Sequence, residues 1–260
     1  MGNGKRRHKI PGRQICAVLI AVFTLLGGYA AYRIITTEAD YASAQNEYSA
    51  LRIFAPFIPA PSDSDENGNG DSSNRSNQKT GYETKPDLSD INRDYIGWIR
   101  IDGTEIDYPI VQSRDNTKYL NTTFTGENNP SGTIFMDAEC SNSFDFFTII
   151  HGHNMRDGSM FADLHLFRDS RFRVDHSEVL IFTPDGGLLI YKIFAVKMSN
   201  INDEVFNLPL SGLDERVNYF DSFGLTRQEL RESMDILVLA THTEGNRNER
   251  LLIFTARVRE

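Results

Sequence analysis

At 260 residues, 40% hydrophobic and 24% charged, with 17 Phe and 10 Tyr, the chain can fill one good core, so one main domain is expected. The formal charge of −9 is unevenly spread, because residues 1–14 carry Lys5, Arg6, Arg7, Lys9 and Arg13 and no acid. The acidic remainder offers phosphate no basic face, which argues against a nucleic-acid partner. Of the two cysteines, Cys16 falls inside an apolar run and Cys140 far beyond it, so no internal disulfide framework is expected.

The first element is "ICAVLIAVFTLLGGYAAY", residues 15–32, which are 18 residues without a charge. That length suits a somewhat short transmembrane helix, with Tyr29 and Tyr32 at the far interface and the basic residues 1–14 held as a cytoplasmic tail. The competing reading is a cleaved signal peptide ending in small residues, but the apolar run exceeds the usual length of such a segment. An anchor over 15–35 therefore places the rest of the chain outside the cell, single-pass, N-terminus inward. "TEADYASAQNEYSALRIF" then spaces Tyr41, Ala44, Tyr48 and Leu51 by three and four residues, as on one helical face, and predicts a stalk over 36–58. Residues 59–86 carry almost no apolar side chains and cannot offset the entropy of ordering, so they read as a disordered tether. "NTT" at 121–123 matches a glycosylation acceptor, a short pattern that arises often by chance.

From Asp87 to the C-terminus, residues 87–260 read as short strands rich in Ile, Val, Phe and Tyr. There are eight: "YIGWIRI", "TEIDYPIV", "GTIFMD", "FFTIIHG", "EVLIFT", "LLIYKIFAV", "DILVLAT" and "LLIFTARV", with "PDGG" at 184–187 as a tight turn. Helical patterns interrupt them at "SMFADLHLF", with Ser159 as cap, and across "LDERVNYFDSFGLTRQELRESM". Many strands, few helices and no alternating strand–helix rhythm argue a closed or nearly closed β-barrel with peripheral helices, a mainly β fold.

Two stretches are unlike barrel walls. "IIHGHNMRDGSMF" ends an apolar strand with His151 and His153 around Gly152, and "LATHTEGNRNERLLIF" joins two apolar strands by a polar loop. If those strands pair as a hairpin, His242 and Arg250 face one rim. A histidine, a nucleophile position and an arginine together suit acyl transfer. The nucleophile attacks an amide, the imidazole protonates the leaving amine, and the guanidinium donates to the oxyanion.

The chain resembles the class B sortases. The resemblance runs from about Asp87 to the C-terminus, with the anchor and N-terminal helix before it, and rests on "YIGWIRIDGTEIDYPIVQ", "KYLNTTFTGENNPSGTIFMD", "HGHNMRDGSMFADL" and the final hairpin. It implies an eight-stranded sortase-type barrel and a membrane-anchored cysteine transpeptidase of Gram-positive bacteria. Such an enzyme cuts the C-terminal sorting signal of a surface protein and joins that protein to an amino group of a cell-wall precursor or peptidoglycan, with no cofactor. His153, directly after Gly152, matches the family's catalytic histidine, and Arg250 its catalytic arginine. The strand that in the family ends in a Leu-x-Thr-Cys-type motif here reads "LATHT", so His242 stands at the nucleophile position.

Three functional readings follow: an active sortase, a pseudosortase that binds sorting signals or a partner sortase without chemistry, and a metal site in which His151, His153 and His242 converge with Glu244 as an extra ligand. The leading expectation is a nucleophile-deficient sortase, because an imidazole is a poor substitute for a thiolate. His151 is read as a spacer pointing the same way as His153, Asp137 and Glu139 as members of a solvated loop, and Cys140 as a free loop thiol remote from His153.

Overall fold

The computed structural model describes residues 12–56, 87–210, 212–223 and 235–258. The chain forms two compact units, Met1–Ser43 and Ala44–Glu260. The tether expected over 59–86 lies outside the described residues, as do residues 224–234 of the last helical pattern.

A helix, α1, runs Gly12–Leu51 and covers most of the residues expected as anchor and stalk. In the first unit its apolar side chains are outward, among them Leu19, Phe23, Leu25, Tyr29 and Tyr32. By length and composition this helix is apolar enough to cross a membrane. In the second unit the last turns of α1 bury Ala44, Tyr48 and Leu51, three of the four positions in the expected stripe. Tyr48 meets Tyr108 edge to face at 5.3 Å and donates its hydroxyl to the Gly132 carbonyl.

All eight expected strands form: β1 Tyr95–Arg100, β2 Asp107–Gln112, β3 Ile134–Met136, β4 Phe147–His151, β5 Glu178–Phe182, β6 Leu188–Asn200, β7 Ile236–Thr243 and β8 Asn246–Arg257. They close in the order β1-β2-β3-β4-β7-β8-β6-β5. Two junctions are parallel, β2 with β3 and β4 with β7; the remainder are antiparallel. Closure removes the open edges that an antiparallel sheet otherwise presents. The adjacent parallel strands β4 and β7 are buried along almost their whole length, which is why "FTII" and "ILVLAT" are continuous apolar runs instead of alternating ones.

Three strands are longer than their apolar runs. β6 extends to Asn200, β7 to Thr243, and β8 begins at Asn246, so most of the expected polar loop is strand. The reason is pairing: Ser199 faces Arg250 and Asn200 faces Glu249 across the ladder, so backbone hydrogen bonds carry the sheet past the end of the hydrophobic pattern.

The remaining elements are short. α2 (Leu88–Ile91) is capped by Asp87, whose carboxylate accepts the Ser89 N–H at 3.0 Å. "SMFADLHLF" becomes a 3-10 segment, Ala162–Arg168, burying Leu164 and Phe167. Ser159 does not cap it, since its hydroxyl donates to Asp157 at 2.7 Å. α3 spans Ser170–Asp175, a second 3-10 segment Glu204–Leu210, and α4 Leu213–Asp221. Phe220 of α4 packs on Phe254 of β8 at 5.7 Å and Phe147 of β4 at 6.0 Å, roofing the barrel with aromatic contacts.

Gly152, just past β4, is required by close approach: a Cβ there would lie 2.5 Å from Ile134 Cδ1 and 2.6 Å from the Phe161 ring. Gly152→Ala is expected to destabilise the protein by roughly 1–3 kcal/mol through overpacking, read as a lowered midpoint in thermal or urea unfolding of the full chain.

Candidate active site

The β4–β7 ladder pairs His151 with Ala240, and its last backbone bond runs from the Gly152 N–H to the Ala240 carbonyl at 3.1 Å. The Thr241 hydroxyl then donates to the Gly152 carbonyl at 2.8 Å, fixing the chain as it leaves the strand into His153. On the other side of β7, the hairpin with β8 pairs His242 directly with Arg250. Four further residues of β8 lie between that pair and the tight turn at Glu244 and Gly245, where Gly245 takes a left-handed φ of 79°. His153, His242 and Arg250 thereby share one cleft of 430 Å³. The rings of His153 and His242 meet edge to face, 5.4 Å apart at 77°.

The His153 Nε2–H points at the Leu120 carbonyl, 2.8 Å away, which leaves Nδ1 as its exchangeable nitrogen. Burial holds the His153 pKa below the ordinary histidine value; the Leu120 hydrogen bond opposes that shift and the Arg250 charge adds to it. The imidazole is therefore neutral at neutral pH. Arg250 is half-buried and its pKa is pulled down by that burial, yet a guanidinium keeps its charge. Its Nη1 donates to the Glu249 carbonyl at 2.9 Å. A neutral imidazole beside a desolvated cation can move a proton and hold a developing oxyanion.

The structure revises the sequence reading of the neighbouring residues. Asp137, expected in a solvated loop, is only 5% exposed and accepts from His151 Nε2 at 3.0 Å, from Asn116 Nδ2 at 2.9 Å and from the Glu139 N–H at 3.0 Å. Burial alone would raise its carboxyl; these donors hold it below the usual carboxylate range. His151 is thus no spacer. Its ring is stacked on Phe135 at 5.1 Å and flanked by Phe206 at 6.1 Å. A clue lay in the strand period: Asp137 follows Phe135 by two, and Phe135 pairs with His151.

With His151 turned to Asp137 and His153 to Leu120, the three imidazoles do not converge. Among the described residues no three of His, Cys, Asp and Glu are placed to hold a metal ion. Glu244 is exposed and lines a separate hollow with His165 and Glu249. Cys140 is a free thiol in the β3–β4 loop, as expected, but it is buried: its sulfur accepts the Ile149 N–H at 3.3 Å, and burial pushes its pKa up to about 12. It does not line the cleft.

Phe206 reaches His151 because Asp203 shapes the chain after β6. Its carboxylate takes the Val205 N–H at 3.0 Å, Lys197 Nζ at 2.7 Å and the Tyr219 hydroxyl at 2.8 Å, and also bonds Ser199. Burial alone would raise Asp203, but these four donors bring it down to about 2.

No family model matches the chain. Sortase B of Listeria monocytogenes is 49% identical over 113 residues, 42% of this chain and 45% of that protein. Sortase B of Staphylococcus aureus is 32% identical over 117 residues, 45% of this chain and 48% of that protein. The chain thus spans about half the length of the curated relatives it matches. In three dimensions it is similar to Clostridium perfringens sortase B, with a TM-score of 0.57 and 28% identity over 66% of this chain and 98% of that one. A Streptococcus pyogenes class B sortase involved in pilus biogenesis gives a TM-score of 0.57 and 29% identity over 66% and 96%. The closed eight-stranded barrel is therefore a sortase barrel. Within that class, the chain is sortase B-like.

Two measurements follow. A thiol reagent applied to the folded chain at pH 7.5 is expected to leave Cys140 unlabelled and to modify it only after denaturation, read by peptide mass mapping. Asp203→Asn is expected to cost roughly 1–3 kcal/mol near neutrality, as loss of the charge-assisted hydrogen bonds of a buried carboxylate does. The native Asp203 contribution is complete above the ordinary carboxylate pKa of 3.8 and is lost as pH falls towards about 2, so acid unfolding of the variant is shallower in that window.

Proposed function

We propose that the chain is a membrane-anchored, surface-displayed sortase B-like protein whose barrel rim takes up the sorting signals of other surface proteins. Its domain, residues 87–260, is held outside the cell by α1 and a tether over 59–86, with the basic residues 1–14 in the cytoplasm. The reading is carried by one observation: the chain leaving β4, the end of β7 and the first half of β8 bring His153, His242 and Arg250 into a single cleft. In the family chemistry that His153 and Arg250 resemble, a thiol attacks the signal's carbonyl and an amine of the cell wall then displaces it. His153 would give the leaving amine its proton, and Arg250 would hold the oxyanion.

Position 242 limits that chemistry. A thiolate combines high nucleophilicity with a thioester stable enough to await an amine, whereas an acyl-imidazole is readily attacked by water. The buried thiol of Cys140, with its raised pKa, is no replacement. The chain as it stands therefore binds sorting signals without cysteine transpeptidation, acting on surface proteins by capture or alongside an active sortase.

The test incubates the full-length chain in detergent, wild type beside His242→Cys, with fluorescent sorting-signal peptides and an amine acceptor, followed by mass spectrometry. Wild type is expected to bind peptide and leave it intact, and His242→Cys to cleave it on the order of 10³-fold faster or more. Equal turnover by both forms would remove position 242 from the chemistry, and absence of binding by either would remove the groove.

A further inference from the structure

The cleft contains a second histidine assembly that the family chemistry leaves unused. His151 Nε2 is committed to Asp137 at 3.0 Å, and Asp137 is itself held by Asn116 and the Glu139 N–H. Phe135 and Phe206 flank the imidazole on its two sides. A buried carboxylate that fixes the tautomer and orientation of an imidazole is the arrangement by which a histidine is readied to take a proton at its other nitrogen. Here that nitrogen is Nδ1, on a ring that is 21% exposed and lines the same cleft as His242 and Arg250.

Its position separates it from His153. His153 lies edge to face against His242. His151 stands opposite Ala240, two residues before His242 on β7. From strand rise and spacing, the Cα atoms of His151 and His242 are about 8 Å apart on the diagonal, with the small Ala240 on the same face of β7 between them. His151 and His242 both line the cleft of 430 Å³, in which an acyl group at position 242 would be approached from the His151 side.

We propose that His151, oriented by Asp137, is the acceptor-side base built into this cleft: once position 242 carries a group that can be acylated, as in His242→Cys, His151 takes the proton of a primary amine that attacks the carbonyl carbon held there. The amine nitrogen forms the new C–N bond and its proton passes to His151. The bond from the carbonyl carbon to the group at position 242 breaks, and that group keeps the electron pair. Glu139, beside the dyad in the cleft wall, favours an approaching ammonium over an anion. The proposal rests on the sortase-type reading of His153, His242 and Arg250 and adds a catalytic role on the opposite side of the bound carbonyl.

The experiment uses the full-length chain carrying His242→Cys, so that an acyl-enzyme can form, and compares it with the same chain also carrying His151→Ala, His151→Phe or Asp137→Asn. Acyl-enzyme and its amide and acid products are followed with an alkylamine acceptor. The expected result is accumulation of acyl-enzyme and amine transfer reduced about 10- to 100-fold in all three. Added imidazole should restore transfer to His151→Ala, where it has a gap to fill, and not to His151→Phe, which keeps the aromatic stack without the nitrogen. Undiminished amine transfer in the two His151 variants overturns the proposal. So does a loss in His151→Ala that imidazole fails to restore while His151→Phe transfers normally, because the ring would then be needed only for packing. A His242→Cys chain that never acylates instead overturns the underlying reading of the site, and this role with it.

Discussion

The parallel register of β4 against β7 is the constraint on which the site depends. It places His151 opposite Ala240, runs one last ladder bond from the Gly152 N–H, and adds the Thr241 hydroxyl to the Gly152 carbonyl. A slip of one residue would turn every side chain on β4 to the opposite face. The register is secure because both strands are buried along almost their whole length, so any slip would send apolar groups to the wrong neighbours. Gly152 completes the arrangement, since only a residue without Cβ fits between Ile134 and Phe161 at that point.

From that ladder the electrostatics of the cleft follow. One wall carries His153, His242 and Arg250, with His153 held neutral by burial and by the cation beside it. The other carries Asp137, Glu139 and His151, with Asp137 kept ionised by its donors in spite of its burial. The cleft is thus polarised, basic where a carbonyl oxygen would need support and acidic where a cation would approach. Asp203 serves this second wall from outside it, because its hydrogen bonds shape the turn that delivers Phe206 to His151. The cost of burying Asp203 is offset by four donors, so one buried carboxylate supports the surroundings of the Asp137–His151 pair.

The frame around position 242 is set by backbone contacts. His242 remains paired with Arg250, and its backbone carbonyl lies 3.3 Å from His165 Nε2 on the far side of the hairpin. The hairpin is therefore anchored from behind by the 3-10 segment Ala162–Arg168, whatever side chain occupies the position.

The eight strands, the apolar helix and the histidine–arginine rim were legible in the sequence because each rests on a local signal: β-branched runs, an uncharged stretch, or polar residues breaking an apolar pattern. The extension of β6, β7 and β8 beyond their apolar runs was not, since backbone pairing continues past the point where hydrophobicity stops. Nor were the burial of Cys140 and Asp137 or the partnership of Asp137 with His151. Asp137 and His151 are fourteen residues apart in sequence, and what joins them is the antiparallel pairing of β3 with β4. By itself, then, the sequence determined which residues could form strands and which carry reactive groups, because those properties belong to side chains and their spacing. Which reactive groups meet, and which nitrogen of each imidazole is committed, was decided only by closure of the barrel, because strand register sets distances between residues that the chain keeps far apart.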